Sequence, residues 1–169
     1  MKRIGFGQVE PNHLSAQRNG QIYAQLPAAK SISVLENGQF AKYDYASNEV
    51  NFTGAGEWML VLNEVKLYDD DHRYYGKNNG LYAGYAMQAK NFVDGEMVPR
   101  LFKTNVGDIF TTNTIGAPEA EVSVEVGNTL APNASGYLEV TADGDMLWKV
   151  VKVYTMPDGQ DGVKLQRIK

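Results

Sequence analysis

The chain has 169 residues, 43% of them hydrophobic, a formal net charge of −4 and no cysteine. That length suits one domain, or one domain with an arm, and it is enough to bury a core. The hydrophobicity is too high for a wholly disordered polypeptide. The missing cysteine excludes disulfides, thiolate zinc sites and cysteine nucleophiles together. No run of about 18 apolar residues exists, so no helix is long and apolar enough to span a membrane. Met1-Lys2-Arg3-Ile4-Gly5-Phe6-Gly7 leads into Gln8, Glu10 and Asn12, not into the apolar stretch of a secretory signal.

Charge divides the chain. Residues 1–30 carry four bases against one acid, a net of +3. Residues 31–169 carry 12 bases against 19 acids, a net of −7. An acidic body is a poor general binder of nucleic acid, which needs clustered lysine or arginine. Four bases over 30 residues are thin for a nucleic-acid arm and suit an acidic protein surface better.

Gly5, Gly7, Pro11, Asn12, Gly20 and Pro27 punctuate the leader, so it reads as an extended N-terminal arm over 1–30. Gln21-Ile22-Tyr23-Ala24-Gln25-Leu26 alternates polar and apolar, the period of a strand. Alone it buries too little to offset its ordering entropy, which points to a partner chain as its holder, with packing on its own body as the alternative. The arm residues expected at that contact are Lys2, Arg3, Arg18, Gln21, Ile22, Tyr23 and Leu26.

Residues 31–169 read as an all-β body, a small barrel or sandwich of short antiparallel strands. Ser31–Leu35 and Phe40–Tyr45 flank an Asn37-Gly38 turn and predict a hairpin. Val50–Thr53 is a short strand, and Glu57–Tyr68 is the longest apolar run. Residues 69–100 mix turn residues with aromatics and read as a loop excursion. Val98–Thr104 and Ile109–Thr112 flank a Gly107-Asp108 turn. Val122–Val126 and Tyr137–Thr141 alternate as strands around Leu130-Ala131-Pro132-Asn133-Ala134-Ser135-Gly136, which reads as a turn. Met146–Tyr154 and Gly162–Ile168 bracket Met156-Pro157-Asp158-Gly159, a strong hairpin signal. Strands spaced this way imply a sandwich or barrel.

Chemistry-bearing patterns are few. The two histidines, His13 and His72, are far apart and form no His-Glu-x-x-His. Asp69, Asp70, Asp71 and His72 are adjacent on the chain, so at most two converge, and the run reads as a solvated face rather than a metal site. Asp143-Gly144-Asp145 and Asp158-Gly159-Gln160-Asp161 complete no calcium loop and read as hairpin turns. No nucleophile elbow, phosphate loop or dinucleotide fingerprint is present. The reading is therefore non-enzymatic, with no catalytic residue, metal or cofactor expected. Tyr74, Tyr75, Tyr82, Tyr85 and Met87 crowd together and suit a wet contact surface. Trp58 and Trp148 lie in apolar strands and read as core.

Three stretches carry a family resemblance. They are Gly7-Gln8-Val9-Glu10-Pro11-Asn12-His13-Leu14 through Leu26-Pro27, Val106-Gly107-Asp108 through Leu130-Ala131-Pro132 with Gly136-Tyr137-Leu138, and the strand pair around Met156-Pro157-Asp158-Gly159. On these the chain resembles virion structural proteins of tailed bacteriophages, specifically capsid decoration (cement or head-stabilising) proteins. Residues 46–100 match nothing in that pattern. The resemblance implies a protein made in the host cytoplasm and placed on the capsid surface of the virion. Its partner would be the major capsid protein lattice, and it would form a homo-oligomer, a trimer being expected, with no nucleic-acid or membrane partner. The alternatives are a tail or baseplate structural protein, and a carbohydrate-binding or host-attachment module using the tyrosine-rich loop.

Overall fold

The computed structural model describes residues 7–10, 21–63, 97–118, 120–157 and 159–169, and 86–88 as backbone. These residues form thirteen strands and no helix. In chain order they are Val9–Glu10 (β1), Ile22–Tyr23 (β2), Val34–Glu36 (β3), Phe40–Asp44 (β4), Glu49–Asn51 (β5), Trp58–Val61 (β6) and Ala86–Gln88 (β7). Leu101–Phe102 (β8), Ile109–Thr112 (β9), Thr129–Pro132 (β10), Leu138–Val140 (β11), Trp148–Thr155 (β12) and Asp161–Arg167 (β13) follow. They build a six-stranded sheet, β1-β9-β13-β12-β10-β11, a five-stranded sheet, β2-β8-β6-β4-β5, and the pair β3-β7. Every ladder is antiparallel, so the expected all-β sandwich is what forms.

Period-two alternation explains how the layers stack. Phe40 and Leu60 face the six-stranded sheet and pack in one cluster with Phe110, Trp148, Val163 and Leu165. Their chain neighbours Ala41, Met59 and Val61, with Tyr43 and Leu101, face the other way and pack with Ala28, Ala29, Ile32, Leu35 and Met97. The five-stranded sheet is thus covered on both faces, and that is why β6, Trp58-Met59-Leu60-Val61, reads as a continuous apolar run while β4 keeps Lys42 and Asp44 at half-buried positions. Each fully buried large side chain contributes about 1.5–3 kcal/mol. Trp148 lies at the centre, edge-on to Phe110 at 4.8 Å and tilted against Phe40 at 5.8 Å.

Four local expectations change. Leu130-Ala131-Pro132, expected in a turn, belongs to β10, where Leu130 and Ala131 are buried and the strand is paired on both sides, by β11 and β12; the turn begins at Asn133. The Asn37-Gly38 turn forms, with Gly38 at φ +92° and Gln39 N donating to Glu36 O, yet β3 and β4 do not pair with each other. β3 pairs with β7 and β4 with β5 and β6. The turn is clamped between layers: Gly38 N donates to Val61 O, and Thr114 Oγ1 donates to Asn37 O at 2.7 Å. Residues 122–126 join no ladder: Val122 and Val124 are half-buried against the core with Ser123 exposed between them, and Glu125-Val126 already belong to a turn. The interval 69–100 is not wholly loop, because Ala86–Gln88 is a strand; residues 69–85 and 89–96 lie outside the described residues.

The described part of residues 1–30 is joined to the body. β1 forms an edge of the six-stranded sheet and β2 an edge of the five-stranded one. Ala28 and Ala29 belong to the core, so burial begins ahead of Ile32. The physical reason is partner supply: β8 and β9 offer free edges, and main-chain pairing with them offsets the ordering entropy of the leader.

The six-stranded sheet has an internal pseudo-twofold about the Lys149↔Gln166 pair of the β12-β13 hairpin. Asn105-Val106-Gly107-Asp108 and Glu125-Val126-Gly127-Asn128 are matching turns. Gly107 and Gly127 sit at φ +97° and +96°. Asp108 Oδ2 accepts Asn105 N at 2.8 Å, and Asn128 Oδ1 accepts Glu125 N at 2.9 Å. Gly107 N donates to Arg167 O, whose own N donates to Asp108 O; Gly127 N donates to Val150 O, whose N donates to Asn128 O. Phe110 and Leu130 then enter the core at the same offset. Asn113 and Asn133 follow, then Gly116 and Gly136 at φ +73° and +76°. By this register β1 on β9 occupies the place that β11 takes on β10.

Gly136 gives a sharp test of this packing. Its φ is left-handed, and an added Cβ would overlap the Phe40 carbonyl. Around Gly127 nothing lies within 4 Å of an added Cβ. Gly127→Ala is therefore expected to cost only the left-handed strain, about 1–2 kcal/mol. Gly136→Ala should cost clearly more, and urea midpoints of the two variants measure the difference.

Candidate functional site

Lys2, Arg3, Arg18, Tyr74, Tyr75, Tyr82 and Tyr85 lie outside the described residues. Met87 is placed by its backbone alone, opposite Leu35 in the β3-β7 pair. Gln21 is buried, and its carbonyl accepts Lys103 N. Tyr23 stands edge-on to Tyr43 at 5.3 Å, and Leu26 is half-buried against the core. Ile22, opposite Phe102, is 40% exposed. Gln21, Tyr23 and Leu26 therefore face the chain's own body, and of these arm residues Ile22 faces outward.

A polar seam fixes the first described residues. Gly7 N donates to Glu36 Oε1 at 3.4 Å, and Tyr137 OH donates to Glu36 Oε2 at 2.9 Å. Gln8 N donates to Asn113 Oδ1 at 2.7 Å, and Thr112 Oγ1 donates to Gln8 O at 2.6 Å. Asn113 Nδ2 donates to Gln160 Oε1 at 3.2 Å. Glu36, Asn37, Gln39, Thr112, Asn113 and Thr114 are all buried. Tyr154 OH donates to Glu10 Oε2, and burial first, then Glu10, pushes that phenol above its ordinary pKa. Such a network is costly unless its members are partnered, and it specifies one seating for the strand.

The outer face of the six-stranded sheet gathers three lysines on its two central strands. Lys149 and Val151 are exposed on β12, and Lys152 lies opposite Lys164. Both Lys152 and Lys164 reach the Tyr154 ring, with Nζ at 5.1 and 5.8 Å from its centroid. A bulge between Val150 and Lys152 brings Val151 to the surface. Three carboxylates accompany them on this sheet: Glu10 on the edge strand β1, which accepts the Tyr154 hydroxyl beside these lysines, Glu139 on the edge strand β11, and Asp161 at the start of β13. The pseudo-twofold gives this sheet paired apolar spots: Val106 and Val126 are 67% and 65% exposed, and Ile168 and Val151 occupy matching exposed positions.

Two shallow clefts flank Gly56-Glu57 at the start of β6. One, about 300 Å³, opens at the mouth between the sheets and is lined by Lys42, Trp58, Glu57, Asp145 and Arg167 among others. Trp58 is half-buried here rather than central, with Lys42 Nζ 4.5 Å over its ring, because β6 begins at the open end of the sandwich. Burial lowers the Arg167 guanidinium from its ordinary pKa. The other cleft, about 210 Å³, lies on the opposite face of the five-stranded sheet. Tyr23, Tyr43, Tyr45, Met59, Glu57 and Lys103 line it. Tyr43 OH accepts Gln25 N at 2.9 Å, which fixes that ring. Tyr45 stands edge-on to it at 5.8 Å and is 73% exposed. Lys103 Nζ meets Glu57 Oε1 at 2.8 Å, and that bond raises the lysine pKa. Sequence reasoning weighed the denser tyrosine group at 74–85 and passed over Tyr43-x-Tyr45, whose i, i+2 spacing already puts both rings on one face of a strand.

Asp44 holds the turn that carries Tyr45. Its Oδ2 accepts Asn51 Nδ2 at 3.2 Å and its Oδ1 accepts Ala46 N at 3.0 Å. The Asn51 bond first, then Ala46, depress its pKa below the ordinary 3.8. A depressed carboxylate stabilises the turn above its unfolded pKa and releases it as pH falls through the lower folded value. An NMR titration of the Ala46 amide is therefore expected to show its midpoint below 3.8.

The described residues define an antiparallel β-sandwich carrying a lysine-valine sheet face and two open clefts. Comparison with protein-family models, with curated proteins and with solved structures found no match.

Proposed function

We propose that the protein is a non-enzymatic virion structural protein that binds the outside of an assembled tailed-phage capsid and stabilises it. The observation that carries this reading is the outer face of the six-stranded sheet. A chain of net charge −4 gathers Lys149, Lys152 and Lys164 there, beside exposed aliphatic residues repeated by the pseudo-twofold. A face of that kind is complementary to an acidic protein surface with apolar sockets. Weak contacts of this size become firm when many copies bind one lattice. The sequence resemblance to decoration proteins supports the same reading. With the described leader residues docked on the body, this sheet replaces Gln21, Tyr23 and Leu26 as the proposed contact.

Co-sedimentation with expanded heads of the source phage tests it. Saturable binding at a fixed copy number is expected, weakening with salt because Lys149 and Lys152 are exposed and Lys164 is only half-buried. Combined Lys149→Glu, Lys152→Glu and Lys164→Glu should abolish binding and leave the urea midpoint nearly unchanged. Absence of saturable binding by the unmodified protein would overturn the proposal. Light scattering on the free protein reports the oligomer, a closed trimer being expected.

A further inference from the structure

The geometry points to a second site: we propose that the cleft of Tyr23, Tyr43, Tyr45, Glu57 and Lys103 binds a neutral oligosaccharide. This goes beyond the capsid reading and uses a different sheet. A sugar ring offers an apolar face of C–H groups and a rim of hydroxyls. It needs a flat aromatic surface together with donors and acceptors at the ring's edge. Tyr45 supplies the surface, since its ring is held edge-on by Tyr43 and is 73% exposed. Tyr23 and Tyr43 are mutually perpendicular, with interplanar angle 85°, and wall the cleft on the side of the core. Lys103 and Glu57 supply three N–H donors and a carboxylate at the rim, each about half exposed.

Charge selects the ligand class. The cation and the carboxylate are paired one to one at 2.8 Å, so the cleft has no net charge to attract an anionic polymer. Binding a phosphate or a uronate would require Lys103 to leave Glu57. Hydroxyls need no such exchange, because each can accept from the ammonium and donate to the carboxylate while the pair stays formed. Shape agrees: the cleft is open and about 210 Å³, suited to one unit of a chain lying across the surface rather than to an enclosed metabolite. Gly56 keeps the rim low. Its added Cβ would lie 2.5 Å from the Tyr43 carbonyl oxygen, so the 54–57 turn sits directly on β4.

The test uses the intact protein and an array of immobilised neutral oligosaccharides (glucose, mannose, galactose and N-acetylglucosamine polymers), with sulfated and uronate polymers beside them. Binding to at least one neutral class is expected, unchanged by moderate salt. Isothermal titration with the soluble oligomer of that class should then show Tyr45→Ala losing about tenfold or more in affinity. Glu57→Gln, which keeps an acceptor but unpairs Lys103, should shift preference toward the anionic polymers. Tyr45 is exposed, so its removal should leave the thermal midpoint in place, which separates lost binding from lost folding. No binding to any neutral class, preference of the unmodified protein for anionic polymers, or full affinity in Tyr45→Ala would each overturn the proposal. The capsid co-sedimentation stands or falls independently, since Tyr45→Ala leaves the lysine face untouched.

Discussion

Trp148→Ala is expected to be among the most damaging single substitutions, at about 4 kcal/mol. The indole is fully buried and packs against Phe40 and Phe110 between the two large sheets. Its loss leaves a cavity that neither sheet closes by relaxing, since main-chain ladders hold both. In a chain of this length the thermal midpoint should fall by about 10 °C. Trp58→Ala is the internal comparison. That ring is half-buried at the sandwich mouth under Lys42, and its removal should cost less than half as much. Urea titration followed by far-ultraviolet circular dichroism measures both. Equal costs would mean that Trp58 carries as much of the core's packing as Trp148.

Gly7→Ala is expected to release the first strand. An added Cβ would overlap Thr114 Oγ1 and the Asn37 carbonyl, and both are fixed by their mutual hydrogen bond. Neither is the free end of a flexible side chain. The strand must lift, losing the Gln8–Asn113 and Gln8–Thr112 bonds and unpairing Val9 from Thr112. Glu36 keeps Tyr137 but loses the Gly7 amide. The sum of such changes is about 2–4 kcal/mol. Hydrogen exchange should localise it, with the amides of the β1-β9 ladder losing protection while the β12-β13 ladder keeps it. Uniform loss across both ladders would show instead that the strand is integral to global stability.

Alternation made the strands legible. Phe40–Tyr45, Tyr137–Thr141 and the two long strands around Met156-Pro157 carry period two or strong turn residues, and each forms near its expected place. Pairing was harder to read. Asn37-Gly38 promised a hairpin, but the deciding contacts came from Val61 and Thr114, far along the chain. Val122–Val126 alternates as well as any strand, yet Val122 and Val124 pack against the core without the segment joining a ladder. The pseudo-twofold was also present as text, in Val106-Gly107 and Val126-Gly127 with Asn113 and Asn133. Its signal is spread over single residues twenty apart and becomes plain only when the matching hydrogen bonds are seen. The candidate surfaces were hidden for a similar reason. Lys149 and Lys164 share a face only through the β12-β13 register, and Tyr23 meets Tyr43 only because β2 folds back onto the body.

The seating of β1 also bears on the order in which the molecule assembles. Gln8 meets Asn113, a separation of 105 residues. Residues 7–10 leave the ribosome well before the edge they complete, which does not exist until β9 and β13 have been made and paired. Closing so long a loop is slow compared with forming the β12-β13 hairpin, so β1 is among the last pieces to dock. Until it does, the Thr111–Asn113 edge stands open in every nascent chain. A lone peptide spanning residues 7–10 would compete for that edge during refolding and not after it.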